Sequence, residues 1–96
     1  MRVDVTQNAQ DGLNSIYDYV YQEFGQDAFL RLEEQVNATL KRLALAPFTF
    51  EALERKTNDY VRRAVVQTNT ILIYEIDLDN QIIRVLSAFD ARSNWK

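Results

Sequence analysis

Apolar positions recur along this chain with two different periods. Val3 and Val5 alternate with Arg2 and Asp4, the period of a short strand. From Ala9 onward the spacing lengthens: Ala9, Leu13, Ile16, Tyr17, Val20 and Phe24 fall on one face of a helix. Thr6 or Asn8 can cap its start, and Gly25 is placed to end it as a left-handed residue. A second helix is predicted from Gln26 or Asp27. It directs Phe29, Leu32, Val36, Leu40 and Leu43 inward and leaves Arg31, Glu33, Glu34 and Lys41 in water. So short a link makes the pair an antiparallel hairpin, and Pro47 stops the second helix.

Beyond Pro47 the period returns to two. Residues 47 to 58 read as a connection with one helical turn, and Tyr60 to Val66 as a strand. Gln67-Thr68-Asn69 turn the chain into a further strand, Thr70 to Asp77. The polar stretch Asp77-Leu78-Asp79-Asn80-Gln81 then makes a hairpin connection into a last strand beginning at Ile82. Asp77 and Asp79 suit that turn through backbone hydrogen bonding. The order β-α-α-β-β-β indicates an α+β fold with helices on one face of a largely antiparallel sheet. Leu13, Ile16, Phe29, Leu32, Val36, Ile73 and Val85 are the expected core between helices and sheet.

A chain of 96 residues is the size of one domain with one modest core. Without cysteine it has neither a disulfide framework nor a thiolate metal site. Histidine is absent too, which removes the side chain best suited to proton transfer near neutral pH and the commonest metal ligand. No acidic spacing suits a calcium loop, so neither a metal nor any other cofactor is expected. The polar N-terminus and the short apolar run Ile71 to Tyr74 predict a cytoplasmic protein with no membrane association.

The net charge of −3 is unevenly placed. Residues 1 to 50 carry four basic and seven acidic side chains, and residues 51 to 96 carry seven of each. That balance is wrong for a strong generic nucleic-acid binder, although a local arginine cluster on the sheet can still hold phosphate.

Several pieces recur in a telling order: Ala9 and Leu13 early in the first helix, Ile16-Tyr17-Asp18-Tyr19 in its middle, Gly25 at the helix junction, Tyr74 late in a hydrophobic strand, and Asp90-Ala91-Arg92 after the last strand. Over nearly the whole chain this resembles the RelE/ParE superfamily of bacterial toxins. The resemblance implies a single domain over residues 1–96, with a helical hairpin packed on a twisted, largely antiparallel sheet. It also implies the toxin of a type II toxin–antitoxin pair, neutralised by a cognate antitoxin.

Within the superfamily, RelE-like members are ribosome-dependent mRNA endonucleases, whereas ParE-like members inhibit DNA gyrase. A nuclease needs a base, together with cations around the phosphate. Arg62, Arg63, Arg84 and Arg92 could be the cations, with Arg63, Arg84 and Arg92 as the candidate catalytic set. Tyr74, Glu75 and Asp90 are the available bases. RNA-cleaving members commonly have a basic residue three positions before the matching tyrosine and a histidine or tyrosine in the tail. Here those places hold Ile71 and Ser93-Asn94-Trp95-Lys96.

The ParE-like reading is therefore favoured, with gyrase as target and no small-molecule substrate. Its alternatives are the ribosome-and-mRNA nuclease and a degenerate, binding-only member. Arg62, Arg63, Arg84, Asp90, Arg92 and Trp95 are the candidate target-binding residues, Arg92 foremost. Arg62 and Arg63 are adjacent in a strand and must project to opposite faces. Tyr17, Tyr19, Tyr21, Phe48 and Phe50 exceed what so small a core can hold and are expected to form a patch that the antitoxin covers.

Overall fold

The computed structural model describes residues 1–54 and 58–93. Strand β1 (Arg2–Val5) leads into helix α1 (Gln7–Phe24), which turns through Gly25 into α2 (Gln26–Leu45). Strands β2 (Glu51–Glu54), β3 (Asn58–Val66), β4 (Thr70–Asp77) and β5 (Ile82–Asp90) follow, and a 3₁₀ turn over Ala91–Ser93 ends the described chain. The sheet order is β1-β5-β4-β3-β2. β1 runs parallel to β5, and the remaining pairings are antiparallel. The helical hairpin lies on one face, so the α+β architecture expected from the sequence is present.

Strand β2 corrects one expectation. Where one helical turn was read between Pro47 and Asn58, the backbone at Glu51–Glu54 is extended and pairs with β3, Glu51 opposite Arg63 and Ala52 opposite Arg62. Glu-Ala-Leu-Glu is a helix-forming sequence, and pairing with a neighbouring strand overrides that local preference.

Thr6, one of the two cap candidates, caps α1. Its Oγ1 accepts from the Ala9 N–H at 3.2 Å, and its hydroxyl donates to the Val85 carbonyl at 2.9 Å, which ties the helix start to β5. Asn8, the other candidate, instead donates to the Leu86 carbonyl at 2.9 Å. Leu86 is the extra residue of a bulge, because Ser87 pairs with Ile73 while Val85 pairs with Tyr74.

Gly25 has φ +93° and ψ 178°. This is the mirror-extended region open essentially to glycine, rather than the left-handed helical one, and it reverses the chain in a single residue.

The core gathers Ala9, Leu13 and Ile16 of α1, Leu32, Val36 and Leu43 of α2, and Ala64, Val66, Leu72, Tyr74, Ile76, Ile83, Val85 and Ala88 of the sheet. Three of the expected placements differ. Phe24, the last residue of α1, is 60% exposed. Phe29 is half-buried, in the seam between the helices. Ile73 is half-buried on the sheet face turned away from the helices, in register with Arg63 and Ser87. The β4 run is apolar on both faces, so its sequence cannot say which face meets the helices.

Candidate functional site

Gly12 sets the distance between α1 and β5. A methyl group built there would overlap the Ala88 carbonyl oxygen, so only glycine lets the helix lie this close to the strand. Where the two elements diverge, an open groove of about 450 Å³ forms, with Gly12, Ser15, Ile16 and Tyr19 on one wall and Ala88, Phe89 and Asp90 on the other. Arg92 stands at its rim.

Asp90 and Arg92 are brought together there. The Asp90 carboxylate accepts from the Arg92 backbone N–H at 2.8 Å, from Nε at 3.2 Å and from Nη2 at 2.9 Å. Arg92 holds the Asp90 carboxyl below the usual carboxylate range, and Asp90 in turn raises the guanidinium. The Arg92 side chain is still half-exposed at 49%, and two of its five N–H donors are committed to Asp90. The mouth of an apolar groove thus carries an oriented guanidinium able to meet an incoming carboxylate or phosphate.

The other arginines stand elsewhere. Arg62 and Arg63 do project to opposite faces. Arg62 turns to the helix side, where Nη1 donates to the Phe50 carbonyl at 2.6 Å and to the Phe48 carbonyl at 3.2 Å while the guanidinium lies 4.8 Å from the Phe48 ring centroid. Arg63 is half-buried on the far face. Arg84 shares that far face but lies across β4 from Arg63, two strands over and two residues along, roughly 12 Å away. It is held by Glu75 and Asp77, each at 3.0 Å. The Asp77 carboxyl is lowered chiefly by hydrogen bonds from Asn80 and then by Arg84, which makes it a turn and ion-pair residue. Trp95 lies outside the described residues.

The candidate bases are similarly engaged. Tyr74 is fully buried and donates its hydroxyl to the Pro47 carbonyl at 2.7 Å. Burial pushes its phenol up to about 12, although Arg62 opposes the shift. Glu75 pairs with Arg84, and Asp90 with Arg92. The aromatic residues expected to form one patch divide between two places. Tyr17, Tyr19 and Tyr21 line the helical hairpin, whereas Phe48 and Phe50 pack with Tyr60 and Tyr74 on the helix side of the sheet near β3 and the end of α2. The groove itself was missed in sequence, and its one signal was a lone glycine inside the first helical stripe.

An antiparallel helical hairpin on one face of this mixed sheet, with an Asp-x-Arg element closing the last strand, defines a toxin fold of the RelE/ParE kind. Residues 3–95 match the family described as the ParE toxin of the type II toxin-antitoxin system, parDE, and the chain belongs to that family. A solved structure titled "Chromosomal ParDE TA system from P. aeruginosa" shares the fold, with a TM-score of 0.74 at 17% identity over 94% of this chain and 95% of that one. No curated protein matches the chain. Among the described residues no helix is long and apolar enough to cross a membrane.

Proposed function

We propose that this ParE-family toxin acts in the cytoplasm as a single domain over residues 1–96, that it inhibits DNA gyrase by surface contact, and that a cognate antitoxin neutralises it at the α1–β5 groove. The observation that carries the reading against mRNA cleavage is the dispersal of the arginines. Phosphoryl chemistry requires cations aimed at one point where charge develops. Arg62, Arg63 and Arg84, and Arg92 occupy the helix side of β3, the far sheet face and the groove rim, respectively.

Proton transfer points the same way. Tyr74, with its phenol near 12 and its hydroxyl given to Pro47, is a poor base at neutral pH. Ile71, at the position where nucleases of this fold commonly have a basic residue, is a buried side chain in register with Val65 and Phe89. A groove with apolar walls and one oriented arginine suits an amphipathic antitoxin segment that brings a carboxylate to Arg92.

A supercoiling assay with purified gyrase, run beside an mRNA-cleavage assay with ribosomes, tests the choice. Inhibited supercoiling with intact mRNA is expected, and Arg92→Ala should weaken target or antitoxin binding by a few kcal/mol at most. Ribosome-dependent cutting that Arg92→Ala slows by about two to three orders of magnitude at unchanged stability would overturn it. Co-expression with the adjacent small open reading frame is expected to relieve growth inhibition.

A further inference from the structure

The far end of the helical hairpin carries aromatic surface that the fold does not use. Tyr21 is 54% exposed and Phe24 is 60% exposed, beside the chain reversal at Gly25. Single exposed apolar residues are ordinary. These fall into two ring groups at the same end of the hairpin. Tyr19 meets Phe24 edge-on with ring centroids 6.2 Å apart, while Tyr17 and Tyr21 meet Phe29 across the helix seam at 5.4 and 6.2 Å.

The same region is predominantly acidic. From Val5 to Leu30 the chain has four carboxylates, Asp11, Asp18, Glu23 and Asp27, and no lysine or arginine. Asp18, Glu23 and Asp27 are exposed around the tip. Glu33 adds to them from α2, since burial and then its charge hold the Tyr17 phenol up at about 12. Two bases stand at the margins of this region: Arg92 is paired with Asp90 at the groove, and Arg31, one turn beyond Asp27 on α2, shares its surface with Glu33 and Glu34, so carboxylates outnumber cations around the tip.

We propose that the hairpin tip, Tyr21, Phe24 and Phe29 ringed by Asp18, Glu23 and Asp27, docks a basic, arginine-bearing segment of a partner protein. Guanidinium groups stack on aromatic faces and fork onto carboxylates, so one side chain type satisfies both features of the surface. A segment rich in carboxylates, which would suit Arg92 at the groove, is repelled here. Groove and tip therefore take segments of opposite charge, and one toxin can hold both at once. This holds whichever enzyme the toxin acts upon.

The test uses the full chain and a labelled helical peptide of arginine, leucine and alanine, followed by fluorescence anisotropy and by amide chemical shifts. Binding that weakens with added salt is expected, with shifts clustered over residues 18–30. Tyr21→Ser combined with Phe24→Ser, and separately Asp18→Asn with Glu23→Gln and Asp27→Asn, should each weaken it about tenfold or more, with thermal melts confirming that both variants fold. Equal binding of a peptide with glutamate in place of arginine, affinity indifferent to loss of the aromatic rings, shifts centred on the α1–β5 groove, or no binding at all would overturn the proposal.

Discussion

Helix α1 has two halves that live in different surroundings. Its first turns, Ala9, Gly12, Leu13 and Ile16, press against β5, with Thr6 hydrogen-bonded to the strand at their start. Its last turns draw away from β5, pack mainly beside α2, and leave Tyr19, Tyr21 and Phe24 largely in water. The aromatic content of the second half could have been core and is not. The difference teaches that an apolar helical stripe marks where a helix can be buried, whereas the reach of the sheet decides where it is. Beyond that reach, the stripe becomes surface available to a partner.

Substitutions can break this contrast at either end. Leu32→Ala should have the largest effect, about 2–5 kcal/mol, because Leu32 is 3% exposed in the core beneath both helices. A chemical-denaturation midpoint equal to the parent's would remove Leu32 from the core. Gly12→Ala comes next. Alanine is the better helix former by up to about 1 kcal/mol, yet its methyl meets the Ala88 backbone, and separating α1 from β5 should cost about 1–3 kcal/mol. A melting temperature several degrees lower is expected, together with a changed groove.

Tyr74→Phe is milder at neutral pH, about 1 kcal/mol for the lost bond to Pro47. Its signature lies in alkali. The folded-state phenol is raised from 10.0 to about 12, so its contribution is complete below pH 10 and declines as pH rises toward 12. Denaturation followed from pH 9 to pH 12 should show a steeper loss for the parent than for Tyr74→Phe. Equal slopes would mean that Tyr74 ionises as freely folded as unfolded. Tyr21→Ser with Phe24→Ser should be the smallest change, within about 0.5 kcal/mol per site by thermal melting, since both rings are mostly solvated.

Much of the fold was readable because periodic segments announce themselves. The stripes of α1 and α2, Gly25 between them, and the apolar runs of β3, β4 and β5 were visible as such. Strand β2 was not, since Glu-Ala-Leu-Glu becomes a strand only through its pairing with β3. The face of Ile73 was hidden by an apolar run on both sides of β4. At the groove, Asp90 and Arg92 stand two residues apart in sequence, and their association could be anticipated. The wall opposite them could not, because Gly12 and Ala88 meet through tertiary packing between distant segments. Likewise Arg62, Arg63, Arg84 and Arg92 were equivalent as letters, and only the register of the strands sorted them onto separate surfaces.

Amide hydrogen exchange along α1 measures the division of the helix most directly. Backbone amides in the stretch from Leu13 to Ile16, packed on β5, should exchange only through global unfolding, with the full stability of the domain. Those from Tyr21 to Phe24 should exchange through local opening at markedly lower free energy. Uniform protection along the whole helix, or stronger protection at the tip than at the sheet, would contradict the account.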